Sequence, residues 1–285
     1  MDNNHWILTA QCPSRLGTID AVTGLLYNNQ HYITELHSFD DCHSKQFFIR
    51  AQFRANTSFD QAAFHQEFSL KAEQFDMQWQ LRSTADKPKV VIMVSKFDHC
   101  LNDLLYKHRI GQLSIEIPAI ISNHPDLESL AQWHGIPYYH LPVSAETKPA
   151  QEAKVMQIIK DVDAELVVLA RYMQVLSPQL CQHLEGWAIN IHHSLLPGFK
   201  GAKPYHQAYE KGVKTVGATA HYINDDLDEG PIIAQGIDSV DHAYYPEDLV
   251  AKGRDIERVT LSRAVRYHVE QRVFLNGQRT VVFAD

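Results

Sequence analysis

The pattern of apolar and polar positions divides the chain into two parts. In the first part, short alternating or half-apolar stretches surround two segments with helical spacing, one of which places Ile19, Val22, Leu25 and Leu26 on a single face. The segments predicted as strands are HWILTA (5–10), HYITELHSFD (31–40), KQFFIRAQFRA (45–55) and DMQWQLR (76–82), and the second helix contains Phe64, Phe68 and Leu70. The order strand–helix–strand–strand–helix–strand is typical of a ferredoxin-like α+β fold.

The second part alternates continuous apolar strands with helices, which predicts a doubly wound, Rossmann-like α/β domain. Its predicted strands are KVVIMVS, IPAIISN, IPYYHLP, AELVVLA and WAINIHH, followed by the pair VGATAHYIN and GPIIAQGIDSV. Asp126 is the predicted N-cap of the helix DLESLAQWHG, a long helix covers about 246–271, and VFLNGQRTVVF closes the chain as a hairpin. Since 83–89 is polar, contains a proline and lacks periodicity, we predict domains at 1–82 and 90–285 joined by a linker at 83–89.

Composition narrows the classes of function. Of the 285 residues 45% are hydrophobic and 21% charged, and the formal net charge of −8 comes from interspersed charges without a basic stripe, which argues against a nucleic-acid partner. The sequence shows no membrane-length apolar run and no secretory leader pattern. Four separated cysteines without a CxxC pair favour the cytoplasm, and the 17 histidines lack zinc-site spacings, so no metal is expected.

Polar side chains collect where three predicted strands end. Asn190 and His192 alternate along one strand face, ARYMQVL follows the preceding strand, and the loop HYINDDLDEGPII carries Asp228. An amide, an imidazole and a carboxylate suit reactions at a carbonyl carbon, because they can donate to a developing oxyanion and handle a proton. Ser194 lacks a GxSxG elbow, so a hydrogen bond that shapes its loop fits better than a nucleophilic role. By alternation His193 faces away from His192. From the residues alone, structural roles for these side chains remain an alternative.

Two motifs together, INIHHSLLPGFKG and VGATAHYINDDLDEGPIIAQ, resemble the folate-dependent formyltransferase family over about 88–285. The resemblance implies that Asn190, His192 and Asp228 are the catalytic residues. It also implies a folate-binding pocket formed by Arg171, Tyr172, Met173, Gln174, Val175 and Leu176 on one side and by Ile223, Asn224 and Asp225 on the other.

One departure separates this chain from the family members that act on a ribotide. Those members have a glycine-rich phosphate cradle after the first strand, whereas VSKFDHCLNDLL (94–105) contains no glycine. This stretch and ARYMQVLSP are similar to the formyltetrahydrofolate deformylase branch, which hydrolyses 10-formyltetrahydrofolate to tetrahydrofolate and formate. The resemblance implies no cofactor beyond this substrate, and formate supply for purine synthesis and one-carbon balance.

The side of the pocket that would hold an amine acceptor is the second expected difference. Lys96, Lys203 and His206 are candidates for lining it in a hydrolase. The alternatives are a formyltransferase that uses an amine acceptor and, from another class, a non-catalytic folate- or amino-acid-binding regulator.

The N-terminal stretch LTAQCPSRLGTIDAVTGLL resembles the start of an ACT domain, a ferredoxin-like amino-acid-sensing module. The usual turn is PDRPG, whereas this chain has Pro13-Ser14-Arg15-Leu16-Gly17. The resemblance implies a small amino acid such as glycine or methionine as effector, and a homo-oligomer formed by pairing of edge strands.

Overall fold

The chain folds into two compact units. The computed structural model describes residues 4–198 and 204–284. Unit 1 comprises Met1–Lys87 with Glu270–Asn276 and Val281–Asp285, and unit 2 comprises Pro88–Val269 with Gly277–Thr280. The structure thus differs from the sequence-based division, which kept the whole C-terminal segment with the second domain.

Unit 1 has the predicted order of strands and helices. Its elements are β1 (His5–Pro13), α1 (Thr18–Asn28), β2 (Tyr32–Asp41), β3 (Gln46–Arg54), α2 (Gln61–Phe75) and β4 (Gln78–Ser83). The four strands form an antiparallel sheet in the order β2-β3-β1-β4. Its core lies between the helices and one sheet face, where Val22, Phe53 and Phe68 are fully buried. Ile19 does not lie on the buried face of α1 as predicted. It is 46% exposed, because Thr18 and Ala21 take the buried positions.

The C-terminal residues join unit 1 through aromatic packing and an ion-pair cluster. The short strands β12 (Val273–Asn276) and β13 (Arg279–Val282) pair with each other. Phe274 and Phe283 pack on Phe48, which lies on the sheet face opposite the helices. A hairpin pattern in the sequence does not specify which surface the hairpin covers, and this accounts for the misplaced boundary.

Glu35 lies at the centre of the ion-pair cluster. Its carboxylate is 3.0 Å from both the Arg50 and the Arg272 guanidinium, and 2.6 Å from the His37 ring. Burial raises the pKa of Glu35, but the hydrogen bond from His37 and the charges of Arg50 and Arg272 outweigh burial and hold the pKa at about 2. Because Arg50 is only 1% exposed, its charge depends on this partner.

We therefore expect Glu35→Gln to lower the free energy of unfolding by about 2 kcal/mol at pH 7. A lowered pKa in the folded state means that the stabilisation is complete above the unfolded-state pKa and is lost as the pH falls towards 2. The difference between variant and wild type should therefore shrink below pH 4.5 in denaturation experiments. Glu73→Gln, at an exposed position on α2, is the matched control. An effect of Glu35→Gln that stays constant from pH 7 to pH 3 would contradict the assignment.

Unit 2 is built on a seven-stranded mixed sheet. Its elements are β5 (Lys89–Val94), α3 (His99–Arg109), β6 (Glu116–Ser122), α4 (Glu128–Trp133), β7 (Tyr138–His140), α5 (Lys148–Asp161), β8 (Leu166–Leu169), α6 (Pro178–Leu184), β9 (Ala188–His192), α7 (Pro204–Lys211), β10 (Thr215–Tyr222), β11 (Ile232–Ser239) and α8 (Pro246–Val269). The order is β11-β10-β9-β8-β5-β6-β7, in which β5 to β9 are parallel and β10 and β11 are added antiparallel.

This topology fixes where a ligand can bind. The chain runs from β5 outwards to β7 and then returns to the other side of β5 through β8 and β9, so the direction of winding changes between β5 and β8. Ligands of open α/β sheets bind at such a switch point, outside the carboxyl ends of the strands. The predicted cap Asp126 is wrong, because α4 begins after Leu127 without a side-chain cap. No helix in the described part of the chain is long and apolar enough to cross a membrane.

Candidate active site

The pairing of β9 with β10 brings polar side chains together at one end of the sheet of unit 2. The antiparallel register places Asn190 opposite His221 and His192 opposite Thr219. Directly paired residues share a sheet face, and so do residues two apart on one strand. The loop that follows β10 returns Asp228 to the same place, where its carboxylate Oδ2 lies 3.2 Å from Nδ1 of His192.

Hydrogen bonds orient these groups. His221 donates from Nδ1 to the Tyr222 carbonyl over 2.8 Å, so in its neutral form the lone pair is on Nε2. That nitrogen accepts from the Asn190 side-chain amide at 3.3 Å, which fixes which end of the amide is nitrogen. An amide NH₂ has two N–H bonds, and one therefore remains for a further acceptor.

The charges at the site are balanced. Burial raises the pKa of Asp228, but the hydrogen bond from His192 and the nearby histidines outweigh burial and hold the pKa below its usual value. Burial lowers the pKa of His221, which keeps that ring neutral. Asp228 is therefore ionised and paired with His192, whose Nε2 atom is buried without a partner among the described residues. A buried unpaired ring nitrogen is suited to a ligand atom.

These groups open into a cavity of about 610 Å³. The residues that line it and that the sequence had singled out are Asn190, His192, Asp228, His206, Arg171, Tyr172, Met173, Gln174, Val175, Leu176, Ile223, Asn224 and Asp225. Lys96 does not line the cavity and is exposed. Lys203 lies outside the described residues.

The segment after β8 forms one wall of the cavity. Two hydrogen bonds to side chains fix its backbone. Met173 N–H donates to Ser95 Oγ at 2.9 Å, and the Lys148 ammonium donates to the Val175 carbonyl at 2.6 Å. The ring of Tyr172 is buried in the core, whereas Met173 is 49% and Val175 is 58% exposed. The wall therefore offers an apolar surface and a fixed backbone to a ligand.

The loop that carries Asp228 is tightly constrained. Asp228 has a φ of 59° and Arg171 a φ of 64°, in the left-handed region that non-glycine residues rarely adopt. A Cβ on Gly230 would lie 1.7 Å from the Tyr222 carbonyl oxygen, so only glycine lets the loop pass this close to β10. Such constraints are common at functional sites, where packing holds the backbone in an unfavourable conformation.

A second polar cluster on the cavity wall was not predicted. Glu257 from α8 is 1% exposed, and its carboxylate accepts from His99 Nε2 at 2.8 Å and from the Tyr205 hydroxyl at 2.9 Å. The Arg171 Nε atom lies 3.4 Å from the same carboxylate. The only signal for Glu257 in the sequence is the apolar pattern of the long helix, in which Glu257 is a charged residue on the face that is buried.

His193 is a correction to the sequence analysis. Its ring stacks on that of His192, with centroids 5.0 Å apart and planes inclined by 17°, and it lines the cavity. The alternation rule failed because β9 ends at His192, so the next residue no longer follows strand geometry. Ser194 donates to the Gly198 carbonyl at 2.9 Å, and the predicted loop-shaping hydrogen bond is confirmed.

His99, Cys100 and Glu257 offer ligand atoms within 4.8 Å of one another. The geometry fits an ion-pair cluster better than a metal centre. The Arg171 guanidinium already balances the Glu257 charge, and His99 Nε2, the nitrogen nearest the carboxylate, donates to it. A metal cation placed among these atoms would lie beside the positively charged Arg171 guanidinium, and the two charges would repel each other.

Comparison with known proteins shows the relationship. The family model for formyl transferase matches residues 88–265. A formyltetrahydrofolate deformylase of Corynebacterium sp. (strain P-1) is 57% identical over 277 residues, 97% of each chain. The chain belongs to the formyltetrahydrofolate deformylase family.

Solved structures of this family extend the likeness to the fold. The formyltetrahydrofolate deformylase of Pseudomonas putida KT2440 is 65% identical with a TM-score of 0.93, covering 98% of this chain and 100% of that one. The formyltetrahydrofolate deformylase of Burkholderia mallei ATCC 23344 is 54% identical with a TM-score of 0.95, covering 99% and 100%. The likeness to these two deformylases therefore covers both units of the chain.

We expect Gly230→Ala to displace the Asp228 loop. The added Cβ has to move away from the Tyr222 carbonyl, which lowers the free energy of unfolding by about 2 kcal/mol and separates Asp228 from His192. Denaturation and a crystal structure of the variant measure the two effects. Gly24→Ala is the control, because its Cβ would meet only Asp20 at 3.4 Å within α1. Unchanged stability together with an intact His192–Asp228 pair would refute the constraint.

Proposed function

We propose that the chain hydrolyses 10-formyltetrahydrofolate to tetrahydrofolate and formate, with Asn190, His192 and Asp228 as its catalytic residues. The observation that carries this proposal is the placement of the three side chains on one cavity beside the 171–176 wall, in a chain related to deformylases along its full length. The cavity is of the size that small-molecule ligands occupy.

The pterin ring of the substrate binds between the wall at 171–176 and the residues 223–225. Two features support this placement. The exposed Met173 and Val175 side chains offer an apolar surface to a flat ring. The buried Oδ1 atom of Asn224 has no partner among the described residues, and it suits an amino or ring N–H group of the pterin.

The reaction then proceeds at the formyl carbon attached to N10. Water adds to this carbon, and the carbonyl oxygen becomes an oxyanion held by Asn190 N–H and His192 Nε2–H. Asp228 keeps His192 oriented through Nδ1, and a histidine with both ring nitrogens protonated is the stronger donor to an oxyanion. Asp228 also takes up the proton of the attacking water. The C–N10 bond breaks as Asp228 passes this proton to N10, and tetrahydrofolate leaves with formic acid, which ionises to formate.

The same reaction defines the expected setting of the enzyme. It needs water and the folate substrate but no further cofactor, and it would supply formate to purine synthesis in the cytoplasm. His206 lines the cavity on the acceptor side, as does the cluster around Glu257, and these side chains occupy space that an amine acceptor would need.

Unit 1 is proposed to be an ACT-like regulatory domain that binds a small amino acid and mediates homo-oligomer formation. Its βαββαβ order and its sheet order support this, and its edge strand β2 exposes Tyr32, Leu36 and Phe39. In the turn, Ser14, which stands at the usual Asp position, donates to the Asp40 carboxylate, so this altered residue makes a contact of its own. Adding glycine or methionine to the assay below should change the rate of formate release, and an unchanged rate with every amino acid would contradict an effector role.

The decisive experiment measures formate release from 10-formyltetrahydrofolate by purified protein without any amine. We expect multiple turnover by the wild type, and a fall of about 100- to 1000-fold in both Asn190→Ala and Asp228→Ala, because each removes a group that stabilises the transition state. Asp161→Ala, which removes an exposed carboxylate on α5, should behave like the wild type. Near wild-type rates in Asn190→Ala and Asp228→Ala would refute the assignment, and turnover that requires an added amine would favour a formyltransferase.

A further inference from the structure

A chain of contacts that does not include Asp228 connects the helix α8 to His192. It begins at Glu257, whose buried carboxylate holds the Nε end of Arg171 at 3.4 Å. The other end of the same guanidinium, at Nη1, contacts Nδ1 of His193. The His193 ring in turn stacks on the ring of His192.

The contact with Arg171 defines the chemical state of His193. A guanidinium is always protonated and only donates, so Nδ1 of His193 must be an acceptor and the ring proton is on Nε2. A neutral His193 adds no charge beside His192. Burial, with the charges of Arg171 and His192, lowers the pKa of His193 to about 4, in agreement with this geometry.

We propose that Arg171 and Glu257 are positioning residues for the reaction: together they hold His193 as a neutral ring against His192 and so fix the orientation of the catalytic imidazole. The proposal rests on the proposed deformylase function, and it assigns to the Arg171 side chain a role distinct from the folate wall formed by the backbone of its segment. His192 is then held on two sides, by Asp228 at Nδ1 and by the His193 ring over its face.

Glu257 has an electrostatic part in this arrangement. The charged and titratable groups around His193 are Arg171, His192, Glu257 and Asp228. Without the Glu257 carboxylate, the positive charge of Arg171 is unbalanced in a buried site, and its guanidinium is no longer held towards His193.

The first test is Glu257→Gln, which keeps the shape of the side chain and removes its charge. We expect kcat to fall about tenfold or more, and KM for 10-formyltetrahydrofolate to change less than about twofold, because the folate walls are formed by other groups. Glu247→Gln, at an exposed position in the first turn of the same helix, should change neither quantity.

The second test is Arg171→Lys, which keeps a positive charge beside Glu257 and therefore preserves the fold if Glu257→Gln proves unstable. A lysine ammonium is a single point and cannot contact both Glu257 and His193, so we expect kcat to fall with KM nearly unchanged. Wild-type kcat in Arg171→Lys would overturn the proposal. So would a fall in kcat accompanied by a comparable rise in KM, which indicates a structural role only.

A third measurement separates this inference from the proposed function. In histidine-labelled wild-type protein, the nitrogen resonances of His193, assigned with His193→Asn, should show a neutral Nε2–H ring throughout pH 5–8. In Arg171→Lys the ring should lose this fixed tautomer or begin to titrate. If the wild type releases no formate, the deformylase function fails while this experiment still tests the contact. If formate is released but His193 titrates normally in the wild type, only the inference fails.

Discussion

The antiparallel pairing of β9 with β10 is the constraint on which the site depends. Its register places Asn190 opposite His221 and ends the strand at His192, so that amide and imidazole share one face at the end of the sheet. A shift by one residue would turn both side chains to the other face and point the apolar Ile189 and Ile191 towards the cavity. Since Ile189 and Ile191 are buried, packing of the domain favours the observed register.

Two of the non-glycine residues with a positive φ lie where strands of this sheet lead into the cavity walls. Arg171 directly follows the β8 segment and Asp228 lies in the loop after β10, and both have left-handed backbone conformations. In each case the residue with the left-handed backbone also makes side-chain contacts. Asp228 pairs with His192, while Arg171 contacts Glu257 and His193. The strained positions thus carry Asp228, which contacts His192, and Arg171, which contacts His193, and packing of the loops keeps both there.

The amino-acid pattern was sufficient for the order of elements and for the polar strand ends, because both depend on local periodicity and on the sheet rule for ligand sites. It could not assign the C-terminal hairpin, because alternation does not identify the surface on which Phe274 and Phe283 pack. It misplaced His193, because the last residue of a strand is set by pairing and not by propensity. Glu257 was missed for a different reason: its partners come from α3, α7 and the β8 loop, and only tertiary packing brings them together.

Two of the carboxylates that line the cavity, Asp228 and Glu257, have different partners. Asp228 faces His192 and His221, which help to hold its pKa below the usual value. Glu257 faces a guanidinium that cannot lose its proton, and it accepts two further hydrogen bonds from His99 and Tyr205. A carboxylate satisfied in this way is a fixed charge. The two carboxylates therefore act at different points: Asp228 contacts His192 directly, whereas Glu257 contacts Arg171 and, through its guanidinium, His193.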